Sequence, residues 1–147
     1  MVQKLIEQHA KLRALLEEMK AAAEQSEGNA SVVSLQAAFK EALIAHLALE
    51  NEDFYPRLIA AIGASDIPTE GVERIKRFIA GMKEIGESVN DFLKKYQSED
   101  LIMRNWNDYR KDLAKCTSLL EIRMESEEDG VYMEWEIYGT NINHWKE

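Results

Sequence analysis

Hydrophobic residues recur at steps of three and four positions in four segments of the chain, which is the spacing of one face of an α-helix. Pro56 has no backbone N–H and is expected to kink or break the second segment. Ser31 is placed to cap the start of that segment. Gly28 and Gly130 are expected to end the first and fourth segments. The four segments cover residues 2–27, 31–62, 72–96 and 102–127.

Four amphipathic helices of this length, joined by short connections, bury their apolar stripes most simply in an up-down-up-down antiparallel four-helix bundle. The all-α class is therefore predicted, with residues 63–69 (GASDIPT) as the clearest loop. A chain of 147 residues predicts one domain over residues 1–147. Residues 131–147 are rich in aromatic residues and lack periodicity, so we expect an irregular tail packed back over one end of the bundle.

The net charge of −9 argues against nucleic acid as a partner, because phosphate binding needs clustered Lys and Arg. The single cysteine, Cys116, excludes an intramolecular disulfide and indicates a reducing, cytoplasmic location. It lies on an apolar stripe and is expected to act as a small buried hydrophobe. The N-terminus does not resemble a signal peptide, and no uninterrupted apolar run suggests a membrane partner.

Five polar residues fall on stripes that are otherwise apolar, where burial without a partner is costly. His46 and Glu50 stand four residues apart, which stacks an imidazole and a carboxylate on one helix face and can chelate a metal ion. An isolated pair of this kind is more often structural, so the interpretation depends on the other members. The five residues are His9, His46, Glu50, Arg123 and Glu127.

An internal sequence similarity, here called the internal echo, supports a common role for these residues. In it, residues 46–55 align with residues 123–132 without a gap. The second and fourth segments therefore share a pattern in which one copy has its histidine and the other does not. The matched pairs are Glu50 with Glu127, Tyr55 with Tyr132, and His46 with Arg123.

Residues 5–19 (LIEQHAKLRALLEEM) and 45–58 (AHLALENEDFYPRL) resemble the first two signature stretches of the hemerythrin-like (HHE cation-binding) family. These are a histidine ahead of a Leu-Arg-x-Leu-Leu run, and an HxxxE followed by an aromatic residue and proline. With the echo, the resemblance covers most of residues 2–135. It implies a helical bundle that holds two non-haem irons between ligands from all four helices.

The resemblance implies metal-ligand roles for His9, His46, Glu50 and Glu127, while Arg123 stands at the position of a fourth-helix histidine. The third segment has no histidine, so the resemblance implies that only one of the two iron positions keeps its histidine ligands. Two imidazoles and one or two carboxylates are sufficient donors for a single divalent iron, manganese or zinc ion with open positions for a small ligand. We therefore expect one ion rather than two, and a metal-free state is an equal alternative.

Arg123 cannot ligate a metal, but its guanidinium pairs with carboxylates in a fork geometry. The hypothesis is that Arg123 takes roughly the place of the second metal and neutralises Glu50, Glu127 or both. Two functions follow: a cation-binding protein that binds or senses a diatomic ligand such as dioxygen or nitric oxide, or a metal-free interaction or regulatory module with a protein partner. Enzymatic activity ranks third, and His144 is expected to be a surface residue of the tail.

Overall fold

The computed structural model describes residues 1–25, 27–64 and 69–139, and all regular structure in these ranges is helical. The predicted all-α class is confirmed. Two π-helical turns, Glu50–Phe54 and Trp135–Gly139, interrupt or follow the α-helices. The α-helices are α1 (Val2–Ala23), α2 (Ser31–Leu49), α3 (Tyr55–Gly63), α4 (Thr69–Lys95), α5 (Glu99–Arg104), α6 (Trp106–Asp129) and α7 (Val131–Glu134).

The connection between α1 and α2 differs from the sequence prediction. The first helix ends at Ala23, well before Gly28. Ser31 is not the N-cap but the first residue of α2. Its backbone N–H and its hydroxyl both donate to Oδ1 of Asn29, at 3.0 and 2.8 Å. The short amide side chain of Asn29 therefore satisfies the donors at this helix start.

The predicted interruption at Pro56 takes the form of a π-helical turn directly ahead of the proline. The N–H of Tyr55 donates to the carbonyl of Glu50, five residues back. Pro56 cannot donate to the preceding turn, so regular α-helical bonding does not continue through this segment. The additional residue in the turn allows the adjacent side chains of Phe54 and Tyr55 both to be buried.

The fourth segment is divided into α5, α6 and α7. Ser98 caps α5 by accepting a hydrogen bond from the N–H of Leu101 at 3.2 Å. Helix α6 ends at Asp129 with Gly130 as its C-cap, so the predicted stop at Gly130 is confirmed, and a new short helix begins at Val131. The prediction of an irregular tail is thus wrong for residues 131–139, while residues 140–147, including His144, lie outside the described residues.

Pairs of interacting residues give the relative directions of the long helices. Residue numbers along α6 fall as those along α1 or α4 rise, so α6 runs antiparallel to these two helices. Residue numbers along α2 and α6 rise together, so these two helices run parallel. For α1 and α6 the pairs are His9 with Glu128 and Arg13 with Glu121; for α4 and α6, Met82 with Arg123 and Tyr96 with Asp112; for α2 and α6, Gln36 with Tyr109 and Glu50 with Arg123.

Two apolar clusters form the core, and the polar residues His9, His46, Glu50, Arg123 and Glu127 lie between them along the helices. One cluster surrounds Phe39 and Tyr109, and the other surrounds Phe54 and Tyr132. The segment from α7 into the second π-turn packs on α3 and contributes Trp135 to the second cluster. The polar layer is therefore closed off at both ends by apolar and aromatic side chains.

The helical run Ser31–Gly63 is long and apolar enough to meet the length and composition criteria for crossing a membrane, with a mean hydropathy of 1.4 over its 18-residue window. Core helices of soluble proteins meet the same criteria, and 28% of the window is buried inside this protein. The run also directs His46 and Glu50 into the interior. One helix that meets criteria of length and composition alone is weak evidence for a membrane span.

Candidate metal centre

The five polar residues singled out in the sequence meet in one buried layer, and each is at most 2% exposed. Helix α1 provides His9, α2 provides His46, and Glu50 opens the π-turn that follows α2. Helix α6 provides both Arg123 and Glu127. One ligand atom from each histidine and each glutamate lies within 4.8 Å of the other three.

The Nε2 atoms of the two histidines face each other at 3.1 Å. Nε2 of His9 is 3.3 Å from Oε1 of Glu127, and Nε2 of His46 is 3.3 Å from Oε1 of Glu50. Two imidazole nitrogens and two carboxylate oxygens therefore converge on one small volume. Such a mixed set of nitrogen and oxygen donors suits divalent iron, manganese or zinc.

The outer nitrogen of each ring is held by a neighbouring side chain. Nδ1 of His9 donates to Oε2 of Glu128 at 2.8 Å, since a carboxylate can only accept. Arg13 holds Glu128 in a fork with two hydrogen bonds of 2.9 Å. Nδ1 of His46 donates to Oε1 of Gln8 at 2.8 Å. With the protons on Nδ1, both Nε2 lone pairs point into the cluster, as metal ligation requires.

The ionisation of His9 agrees with this tautomer. Burial is the largest influence and lowers the pKa of His9, against the opposing effect of the hydrogen bond with Glu128. The imidazole of His9 is therefore neutral at physiological pH, and neutral imidazole is the form that ligates metals.

Arg123 provides the positive charge of the layer. Its Nη2 donates to Oε1 of Glu50 at 2.8 Å, and its Nη1 donates to the carbonyl of Met82 on α4 at 2.7 Å. Its Nε lies 3.6 Å from Oε1 of Glu127, beyond hydrogen-bond distance. The expected pairing of Arg123 with a carboxylate is thus formed with Glu50.

The tyrosines of the internal echo cross over between its two copies. Tyr132 donates a hydrogen bond of 2.6 Å from its hydroxyl to Oε2 of Glu50. Tyr55 likewise donates to Oε2 of Glu127. Each copy of the pattern therefore supplies the tyrosine that fixes the carboxylate of the other copy.

The two carboxyl groups differ in their affinity for a proton. Burial raises the pKa of Glu127 well above its usual range, and the neighbouring Glu50 raises it further. Burial also acts to raise the pKa of Glu50, but hydrogen bonds with Glu127 and His46 and the charge of Arg123 bring the net pKa below its usual value. Glu127 therefore holds the proton of the pair, and the negative charge of Glu50 is balanced by Arg123.

Two buried polar atoms in the described part of the chain have no hydrogen-bond partner, namely Nε of Arg123 and Oε1 of Glu127. The glutamate oxygen is one of the four convergent ligand atoms, so a bound cation would satisfy it. On the side of Arg123, α4 contributes the carbonyl of Met82 and the bare backbone of Gly86. The described residues therefore fit one metal ion and offer no second set of ligands.

Sequence reasoning missed the side chains that orient the histidines. Glu128 lies in an acidic run at the end of α6, a pattern typical of a solvated helix end, yet it holds His9. Arg13 lies four residues after His9 and shares its helix face, which was the available signal. Gln8 gave no such signal, because its contact with His46 depends on how α1 and α2 pack.

Comparison with protein families identifies the class to which this fold and this layer of residues belong. The hemerythrin HHE cation binding domain matches residues 1–135. The chain therefore belongs to the hemerythrin HHE cation-binding family. No curated protein and no solved structure matches the chain at a significant level.

Proposed function

We propose that this protein binds a single divalent transition-metal ion, iron in the first place, and uses the ion to bind or sense a small diatomic ligand such as dioxygen or nitric oxide. His9, His46, Glu50 and Glu127 would hold the ion. A bound metal of this kind supplies a Lewis-acidic, redox-active centre with positions open to a small ligand.

The observation that carries the proposal is the convergence of four ligand atoms within 4.8 Å in a fully buried layer. The hydrogen bonds of the two Nδ1 atoms also support the proposal, because Glu128 and Gln8 direct both Nε2 lone pairs inward. Aromatic side chains such as Phe54 close the layer on one side and keep bulk water from a bound ligand. In this reading, Arg123 replaces the cation of a second metal site.

We further propose that the helices form the up-down-up-down bundle expected from the sequence. The pairing of α6 with α1 and with α4 in opposite directions, and with α2 in the same direction, supports this arrangement. It places ligands from two diagonal helices, α2 and α6, across the bundle axis from each other.

Metal content measured after anaerobic loading with ferrous iron tests the proposal. We expect about one equivalent of iron per chain, because the described donors form one set. The His9→Ala variant should lose the iron, whereas Glu125→Ala, a truncation at an exposed position of α6, should retain it. Exposure of the loaded protein to air or nitric oxide should change its visible absorption. Less than about a tenth of an equivalent in the unsubstituted protein would contradict the proposal.

A second candidate function, a metal-free interaction or regulatory module, has its own support. The hydrogen bonds from Arg123 and Tyr132 to Glu50, and from Tyr55 to Glu127, satisfy most of the layer without any ion. In that case a chelator should leave the melting curve of freshly purified protein unchanged. A lower melting temperature in chelator, restored by added iron, would favour the metal-binding function instead.

A further inference from the structure

A groove of about 330 Å³ lies on the surface between α2 and α4 and reaches Arg123. Asn51 and Lys83 stand at its mouth, and both are exposed. Arg123 lines the inner end, although its side chain is only 3% exposed. The groove therefore connects solvent with a buried guanidinium that also touches Glu50.

Gly86 keeps the inner end of this groove open. A Cβ atom at this position would lie 2.8 Å from Nη1 of Arg123, closer than a side chain can approach. The guanidinium therefore lies directly beneath the bare backbone of α4. Any larger residue at position 86 would separate Arg123 from the groove or displace it.

Arg123 has donors that the described residues do not use. An arginine carries five N–H bonds, and the hydrogen bonds formed here are those to Glu50 and to the carbonyl of Met82. Its Nε has no hydrogen-bond partner but lies 3.6 Å from Oε1 of Glu127, whereas Nη1, beneath Gly86, keeps a second N–H after its bond to Met82. A buried, permanently charged group with spare donors is well suited to bind an anion.

The charge of the loaded cluster also favours an anion. A carboxyl group must lose its proton to ligate the ion, so in the loaded cluster both Glu50 and Glu127 are counted as ionised. One divalent ion and Arg123 together then exceed these two carboxylates by a single positive charge. At the mouth, Lys83 adds a positive charge and Glu87 a negative one, so the mouth itself is nearly neutral. A small monovalent anion at the inner end would neutralise the excess in a region of low dielectric.

We infer that the groove between α2 and α4 admits a small monovalent anion, which Arg123 binds beside the metal ion. This inference rests on the proposed function, because the excess positive charge exists only when the ion is bound. Arg123 thereby acts as the recognition residue for the anion in addition to its pairing with Glu50.

Cobalt-loaded protein provides a direct test, with formate as the anion and formamide as its neutral counterpart of nearly equal size. Cobalt binding is first titrated by its visible absorption, and formate or formamide is then added. We expect formate to bind with saturation and to change the cobalt spectrum, and formamide to bind at least about tenfold more weakly. Metal-free protein should not bind formate.

Three variants separate anion recognition from folding. Arg123→Lys keeps the charge but loses the fork, so formate affinity should fall at least about tenfold while cobalt still binds. Lys83→Gln should weaken formate binding about two- to fivefold, whereas Lys111→Gln, the same charge change on exposed α6, should not. Equal binding of formate and formamide, or formate affinity unchanged in Arg123→Lys and Lys83→Gln, would overturn the inference alone. Failure to bind cobalt would overturn the proposed function and the inference together.

Discussion

Arg123 balances the charge of Glu50, which forms a pair of carboxyl groups with Glu127 fully removed from solvent. Burial lowers the pKa of its guanidinium, but the charges of Glu127 and Glu50 raise it more, so the residue stays charged. Each of the two glutamates is 0% exposed. At such a site the cost of desolvating the ions is already present in the fold, so removal of one partner leaves an uncompensated charge.

Replacement of Arg123 by methionine should therefore destabilise the metal-free protein strongly. We expect a loss of about 3–5 kcal/mol in the free energy of unfolding, measured by urea denaturation in the presence of chelator. The double variant Arg123→Met/Glu50→Gln should recover much of the loss, because the buried charge of Glu50 is also removed. A loss of only about 0–1 kcal/mol, as for a surface ion pair, would contradict the role assigned to Arg123.

Cys116 is a buried thiol in the apolar core rather than a reactive one. It is 3% exposed, and burial raises its pKa to about 12. Since the thiolate is the reactive form, a thiol reagent at pH 8 should label the folded protein far more slowly than the urea-unfolded protein. The chain has one cysteine, so each labelling event reports this position. Equal labelling rates in the two states would show that the thiol is accessible.

At the scale of single helices, the π-turn ahead of Pro56 places the side chains that complete the cluster. It begins at Glu50, the carboxylate paired with Arg123, and it brings Tyr55 into position to bond Glu127. Phe54, at the end of this turn, and the adjacent Tyr55 are both buried. The irregularity therefore serves the geometry of the site.

Helix α4 contains two glycines with opposite expected responses to alanine. At Gly86 the new methyl group would meet Nη1 of Arg123 at 2.8 Å, whereas at Gly81 nothing lies within 4 Å. Gly86→Ala should therefore destabilise the protein by about 1–3 kcal/mol through overpacking. Gly81→Ala should stabilise it by up to about 1 kcal/mol through helix propensity. Urea denaturation measures the change in the free energy of unfolding of each variant. Equal changes in the two variants would contradict the close approach of Arg123 to α4.

At the scale of the whole molecule, the metal site lies between two apolar clusters and draws its ligands from three separate parts of the chain. An ion that binds only the folded state stabilises that state by mass action. The contacts among α1, α2 and α6 at His9, His46 and Glu127 exist only after folding, so metal affinity and stability should be linked.

Addition of the metal to about one hundred times its dissociation constant should raise the free energy of unfolding by about 2.7 kcal/mol. Glu127→Gln should reduce this gain, because the variant loses a charged ligand. Glu125→Gln, the same change at an exposed position of α6, should show the full gain. Thermal melting with and without the metal measures the stabilisation of each variant by the metal. Equal stabilisation of the two variants would contradict the assignment of Glu127 as a ligand.

The sequence by itself determined the helical class and the residues of the polar layer. Helical periodicity fixes which side of a helix a residue faces, so His9 and Glu127 could be placed on inward faces without a structure. The internal echo likewise marked Arg123 as the counterpart of His46. Sequence preferences failed at the end of the first helix and at Ser31, where local contacts such as those of Asn29 outweigh them.

Only the tertiary structure decided how the members of the layer are connected. The crossing of Tyr55 and Tyr132, the support of His9 by Glu128, and the approach of Gly86 to Arg123 are contacts between helices distant in sequence. Periodicity specifies the face of a helix, but not which neighbour that face meets or at what height. These depend on how the helices pack, and they bring four possible metal ligands together beside a buried arginine.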